Sequence, residues 1–314
     1  MTIHLKYYCF IILSFCFVCD ANAQSEALLS QYFNLPTYYN TAAAGNVDYL
    51  NIVTSGQLRQ NDNSWDMKRF WVGADMPFVV GVNQKIGAGI TANYNEIGAY
   101  KGLSASLLGS WKLNVGAGEL SIGISPCINN NQIKPNKSVG IAEDNKTDSV
   151  QGHHKTNFDI GVGLWYDSNA WWVGFSITHL GFNKRQENKY FNEFTTGVGY
   201  YFTTGCNIKI KSALLDIEPS VLATHYRGEL KGQATLRIHW NKLIWAGAGY
   251  RLHDGIGLMV GTNIKGFMLG YSYLLSIGSK TDIKQNGHEF VAGYRLKLDM
   301  SKRNPYKHKS IRLL

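Results

Sequence analysis

Residues 85–94, KIGAGITANY, alternate between two kinds of side chain. Ile86, Ala88, Ile90, Ala92 and Tyr94 fall on one side, and Lys85, Gly87, Gly89, Thr91 and Asn93 on the other. Period two is the mark of a strand with one apolar and one polar face. In a soluble sandwich the apolar face looks into a core. In a membrane barrel it looks out to lipid, and the polar face lines the lumen. One strand fits either arrangement, so the rest of the chain has to discriminate.

The same alternation recurs along the chain. Segments near 49–59, 67–77, 85–95, 102–113, 118–128, 156–166, 170–180 and 193–203 carry it, followed by 208–219, 220–226 with an ambiguous 230–240, then 243–252, 256–264, 266–275 and 287–298. Merging the ambiguous piece leaves about fourteen strands, most close to the ten residues that a tilted strand needs to cross the hydrocarbon. In FDIGVGLWY (158–166) the outward set is Phe158, Ile160, Val162, Leu164 and Tyr166, against Asp159, Gly161, Gly163 and Trp165. In FVAGYRLKL (290–298), Phe290, Ala292, Tyr294, Leu296 and Leu298 oppose Gly293, Arg295 and Lys297.

The connections supply an independent test. With 49–59 as the first upward strand, the inner turns fall near 78–84, 114–117, 167–169, 204–207, 241–242 and 265, all short. The three longest connections, 129–155, 181–192 and 276–286, all fall on the opposite rim. Outer-membrane barrels pair tight inner turns with long outer loops, whereas a soluble sandwich has no reason to lengthen every second connection. The pattern predicts an all-β fold, a transmembrane antiparallel β-barrel of about 14 strands over residues 49–298.

Composition agrees. Glycine is 33 of 314 residues and proline only 6, and tyrosine (18) outnumbers phenylalanine (14). No run of eighteen apolar residues follows residue 23, so no transmembrane helix is available, but a closed barrel needs an apolar residue only at every second position. Trp111, Tyr166, Trp171, Trp172, Tyr200, Tyr201, Trp240, Trp245, Tyr250 and Tyr273 sit near strand ends and read as aromatic girdles at headgroup depth. Ordinary strand propensity would also place such residues there.

At the N-terminus, Lys6, an apolar run from Tyr7 to Cys19 and the Ala21-Asn22-Ala23 site predict a secretory signal peptide over 1–23. Three of the five cysteines lie within it. Cys127 and Cys206 remain, on strands read as non-neighbouring, and are expected to be isolated thiols. The expected organisation is a signal peptide (1–23), an N-terminal periplasmic or plug segment (24–48), the barrel (49–298) and a basic periplasmic tail (299–314).

The search for chemistry yields no template. His153-His154 lies in the longest loop, and adjacent residues of an extended chain point apart, which disfavours joint metal binding. Gly255-Ile256-Gly257 with Gly261 opens no helix, so it is no dinucleotide fingerprint. No G-x-S-x-G occurs, and His179, His225, His239 and His253 have no sequence neighbour that singles one out. No catalytic residue, cofactor or metal is expected, and the chain reads as a non-enzyme. Many inward positions are glycine, among them Gly87, Gly123, Gly161, Gly163, Gly247 and Gly270, and they form no ring of like charge. A narrow or plugged interior follows, with 24–48 as the plug candidate.

That segment carries a family likeness. SQYFNLPTYYNTAAAG, residues 30–45, resembles the start of the PorP/SprF family of Bacteroidota outer-membrane proteins. Gln31 and Tyr32 match its Gln-Tyr, Asn40 and Ala42 its Asn-Pro-Ala-like tripeptide, and Gly45 the following glycine, while Thr41 replaces the usual proline. Arg59-Gln60 matches an Arg-Gln pair, and GYRLHDGIGLMVG, GFMLGYSYLLSIG and GHEFVAGYRL look like the family's final strands. The resemblance implies a non-enzymatic component of the type IX secretion and gliding machinery at the cell outer membrane. It also implies periplasmic ring subunits (a lipoprotein and associated proteins) as partners, together with a surface adhesin. By that resemblance Gln31, Tyr32, Asn40, Gly45 and Arg59 are structurally required positions. The alternative is an outer-membrane channel or transporter for small or hydrophobic solutes.

The tail 299–314 fits a periplasmic contact. Lys302, Arg303, Lys307, Lys309 and Arg312 oppose only Asp299, so it carries nearly half of the net charge of +9. An even strand count places both termini in the periplasm. There the tail would meet an acidic partner or the cell-wall polymer, although a solvated end explains it equally well. Nucleic acid is no expected partner of an exported chain.

Overall fold

The computed structural model describes residues 28–61, 64–80, 84–98, 100–133, 153–168, 170–181, 197–210, 214–226, 228–277 and 286–297. The strands are β1 (Tyr49–Asn61), β2 (Ser64–Val80), β3 (Gln84–Ile97), β4 (Tyr100–Val115) and β5 (Gly118–Ile133), followed by β6 (His153–Ser168), β7 (Trp171–Thr178), β8 (Gly199–Cys206), β9 (Ile208–Ile210) and β10 (Leu215–Tyr226). β11 (Glu229–Trp240), β12 (Ile244–Arg251), β13 (Gly255–Ile264), β14 (Phe267–Ser276) and β15 (Asn286–Lys297) complete the set. Each pairs antiparallel with its neighbours, β15 returns to β1 and β10 joins β11, so the sheet closes on itself. Closure leaves no edge strand to satisfy.

β8 and β9 are one crossing. Ser220 pairs with Gly205 and Ile217 with Ile208 in the same register, so no residue is inserted between the two pieces. Fourteen strands therefore cross. This corrects the turn expected at 204–207. Pro219 lies where the ladder lapses, and a proline has no N–H to donate, which interrupts the hydrogen bonding without reversing the chain. The reversal comes between Ile210 and Leu215, and 215–226 is a single strand instead of the separate pieces 208–219 and 220–226. The loop expected at 129–155 is also shorter. β5 and β6 stay paired from Asn129↔Asn157 to Ile133↔His153, which puts His153 and His154 on a strand. Much of the loop expected at 181–192 lies outside the described residues.

The two faces are inverted relative to a soluble protein. Leu107 is 61% exposed and Phe158 60%, while inward-facing Arg251 and Glu289 are each 2% exposed. Water would not tolerate a continuous belt of such outward residues; hydrocarbon does. The outward residues of KIGAGITANY and FDIGVGLWY are those the alternation assigns. Trp111, Trp171, Trp240, Tyr200 and Tyr250 are exposed outward, as a girdle requires. Tyr201 and Trp245 are not. They share the inward parity of their strands and are buried, and Trp172 turns inward to stack on Trp165 with ring centroids 5.1 Å apart.

The dry core lies inside the lumen and is made by the N-terminal segment. Leu28, Leu29, Tyr32, Leu35 and Tyr39 pack against inward Val53, Trp71, Tyr201, Leu222, Met268 and Val291. The segment has little regular structure: a 3-10 turn at Tyr32–Asn34, a one-turn helix α1 (Pro36–Tyr39) with proline at its first position, and a second 3-10 turn at Thr41–Ala43. A segment inside a barrel has no neighbouring strand to ladder with, so its polar groups must find side chains of the wall.

Candidate functional site

The site is this segment and its seat. It enters β1 at the short-turn rim, where Asp48 faces Lys85 at 3.4 Å, and ascends the lumen. Asn46 bonds the Lys112 ammonium, and Ser110 Oγ donates to the Ala44 carbonyl at 2.8 Å. The Gly45 amide donates to Asp75 Oδ2 at 2.8 Å. Gly45 has φ +66°, and a β-carbon there would stand 2.7 Å from Gly87 Cα, so both handedness and space require glycine.

Asn40 anchors the middle. Its Oδ1 accepts from the Ala42 amide at 2.9 Å, capping the second 3-10 turn, and its Nδ2 donates to the Leu164 and Phe175 carbonyls at 2.8 and 3.2 Å. Its backbone is extended (φ −142°, ψ 114°), the conformation a following proline would demand, so threonine at 41 preserves the turn. Thr41 Oγ1 donates to the Ile124 carbonyl at 3.2 Å.

Higher up, Tyr32 donates its hydroxyl to Ser220 Oγ at 2.8 Å, and burial pushes its pKa up to about 12. Phe33 lies edge-on to Trp245 with the Arg237 guanidinium 3.5 Å from its ring centre, and that arginine pairs with Glu218. The amides of Ser30 and Gln31 donate to the Glu289 carboxylate at 2.7 and 2.8 Å, while Gln57 Nε2 donates to the Leu28 carbonyl at 3.1 Å. Arg251 Nη2 donates to Ser30 Oγ at 3.2 Å, and Asp254 beyond it accepts from Arg251 at 3.0 Å and Arg59 at 2.8 Å. Burial alone would raise the Asp254 carboxyl; the two arginines override it and hold the pKa down at about 2.

The wall makes room for the segment. A β-carbon on Gly87 would overlap the Ala44 carbonyl, one on Gly163 the Asn40 amide, and one on Gly270 the Gln31 amide. These inward glycines are seats for specific residues of the segment, whereas Gly73, Gly174 and Gly261 make room for the wall's own Trp71, Trp165 and Trp245 rings.

The structure therefore brings Gln31, Tyr32, Asn40 and Gly45 into one lumenal segment and sets Arg59 at its far end, tied to it through Asp254 and Arg251. Sequence reasoning missed the wall partners Asp75, Glu289, Arg251 and Asp254; their signal was a charged residue at an inward position or in a turn next to one. Leu28, the first described residue, lies in the half of the lumen toward the long-loop rim, level with Gln57; residues 24–27 and 298–314 lie outside the described residues. Lys302, Arg303, Lys307, Lys309 and Arg312 lie outside the described residues. Cys127 and Cys206 sit on strands separated by β6 and β7, and Cys127 Sγ lies 3.2 Å from Asn129 Oδ1.

Residues 21–294 match the family model described as type IX secretion system membrane protein PorP/SprF. The chain belongs to the PorP/SprF family. It is an outer-membrane β-barrel and a membrane component of type IX secretion. No functionally curated protein matches it. Among solved structures, the toluene transporter TbuX of Ralstonia pickettii is similar at TM-score 0.52 and 10% identity, covering 83% of this chain and 93% of that one. A FadL homologue of Pseudomonas aeruginosa is similar at TM-score 0.46 and 10% identity, over 82% of this chain and 92% of that one. The outer membrane protein Omp33 of Acinetobacter baumannii gives TM-score 0.45 and 9% identity, over 79% and 99%. At 10% identity the likeness to TbuX is one of fold.

Proposed function

We propose that this PorP/SprF protein is a non-enzymatic, closed outer-membrane station of the type IX secretion and gliding machinery, serving secretion or anchoring of surface proteins through periplasmic ring subunits. The observation that carries the reading is the seated segment 28–48. It packs inside the lumen, held by hydrogen bonds that join Tyr32, Asn40, Ala44 and Gly45 to the wall and by glycines whose β-carbons would collide with it. A barrel so filled offers its rims as working surfaces. The basic tail, with Lys302, Arg303, Lys307, Lys309 and Arg312, is suited to an acidic periplasmic partner such as a ring lipoprotein or its associated protein.

A planar-bilayer recording tests the closed state, with electrical silence expected. Steady ion flux would favour the channel for small or hydrophobic solutes instead. Co-purification from detergent tests the partner: ring subunits should accompany the full chain and be lost on removal of residues 299–314. Recovery of the barrel alone in both cases would overturn the periplasmic contact.

A further inference from the structure

The short-turn mouth is electrically divided. On its β2–β5 side the charges close on one another: Lys85 bridges Asp48 at 3.4 Å and Glu119 at 3.8 Å, and Lys112 meets the same glutamate at 3.5 Å. On the β9–β15 side they stay open. Lys242 lies in the β11–β12 turn, Lys265 in the β13–β14 turn, and Lys297 ends β15. All three are exposed, and among the described residues no ion pair joins them to a carboxylate. The acids of that side are matched elsewhere: Glu218 holds Arg237, and Asp216 stands opposite Lys209 in the ladder.

Two of these lysines sit where the backbone disfavours them. Asn241 and Lys242 have φ +51° and +56°, at the centre of a turn closed by the Leu243 amide donating to the Trp240 carbonyl at 3.0 Å. Lys265 has φ +48° and precedes Gly266 at +89°. Hairpin turns with two left-handed residues favour Asn-Gly, and each of these turns has one member of that pair and a lysine in place of the other. A side chain kept where its loss would relax the backbone points to a use for its charge.

The turns are also tied to their neighbours. The Asn241 amide donates to the carbonyl of Leu214, the last residue of the β9–β10 connection, at 2.9 Å. The Asn263 amide donates to the Leu243 carbonyl and the Arg295 amide to the Gly266 carbonyl, both at 2.8 Å. Leu214 and Trp240 on the same side are 69% and 60% exposed. The result is a braced ledge of open cations beside exposed apolar side chains, organised before any partner arrives.

We propose that this ledge docks an acidic face of a periplasmic protein. The inference deepens the partner contact proposed above, and rests on that reading and on the short-turn rim facing the periplasm. Anionic phospholipid fits the placement less well. A lysine serving lipid headgroups continues the outward row of its strand, whereas Lys297 continues the inward row of Glu289 and Val291, and Lys242 and Lys265 lie in turns. Lipid also surrounds the whole mouth, yet the lysines of the β2–β5 side are paired.

The test titrates the full chain, held in neutral phosphatidylcholine discs at low ionic strength, with fluorescent decaglutamate. Lys242→Gly/Lys265→Asn gives both turns the Asn-Gly pair they favour, so the melting temperature should hold or rise while decaglutamate binds about tenfold more weakly. Lys242→Arg/Lys265→Arg should bind like the parent. Heat-modifiable gel mobility checks folding, and Lys297→Gln, also expected to weaken binding, is the second variant if the first misfolds. Removal of residues 299–314 is a separate arm: unchanged binding there would overturn the tail contact alone, and the loss in the double variant should persist in that background. A parent that does not bind decaglutamate, or a folded double variant that binds it equally well, would overturn the ledge. Equal decaglutamate binding together with a variant-dependent loss of flotation with phosphatidylglycerol vesicles would assign the lysines to lipid and overturn it too.

Discussion

A β-carbon on Gly123 would stand 2.5 Å from the amide nitrogen of Ala42. Wall and segment thus meet backbone to backbone, at a distance only glycine permits. Substituting such seats should unseat the segment while sparing the barrel. Gly163→Val, which would drive into Asn40, is expected to keep heat-modifiable mobility but to convert an electrically silent protein into one that passes current. Bilayer recordings of variant and parent side by side check this. A silent, folded variant would show that the seat is dispensable.

Asn40 joins three partners through one amide. Asn40→Ala removes the cap and both carbonyl contacts, so a loss of about 2 kcal/mol is expected. Asn40→Asp keeps the capping acceptor and loses the two donated bonds, so it should fall between parent and alanine variant. Denaturant midpoints of the three proteins in one detergent give the order directly.

The Arg59–Asp254–Arg251 cluster predicts a pH response. The Asp254 carboxyl is depressed in the folded protein, so its stabilisation is complete above the ordinary carboxylate range and is lost as pH falls through about 2. The contribution is about 2 kcal/mol. Melting followed from pH 7 to pH 4 should show no loss attributable to this group, with the loss appearing below pH 4. In Asp254→Asn that acid-dependent step should vanish, leaving the two arginines without their counter-charge and the variant less stable at neutral pH.

Outward Leu107 sits in the middle of β4. Leu107→Arg should cost about 2–4 kcal/mol in lipid. Ser106→Asn, one residue away on the lumenal face, should cost less than 1 kcal/mol. Refolding yields into vesicles across a urea series compare the two. Equal tolerance would mean that hydrocarbon does not cover this face.

The sequence displayed some of this plainly, because lipid imposes period two on every strand. Parity alone places Ile90 outside and Asp159 inside, and it would have placed Trp172, Tyr201 and Trp245 inside as well. Reading them as girdle residues weighed their nearness to strand ends above their alternation. The glycines at 87, 123, 163 and 270 could be read as inward and small. Their partners could not, since parity tells which way a residue faces and is silent about what fills the space. The turn expected at 204–207 was misplaced for a similar reason: Gly205 and Asn207 resemble a reversal locally, and only the register across β10 shows the strand continuing.

From Leu28, high in the lumen, the segment runs down to the short-turn mouth and becomes β1, whose pairing with β15, from Tyr49↔Lys297 to Gln60↔Asn286, completes the ring. A sealed cylinder could not easily swallow its own leading end past Asn40 and Gly45. The order of events during insertion is thus constrained: the wall has to curl around a segment of short turns already in position, and the last hydrogen bonds to form are those of the seam that traps it.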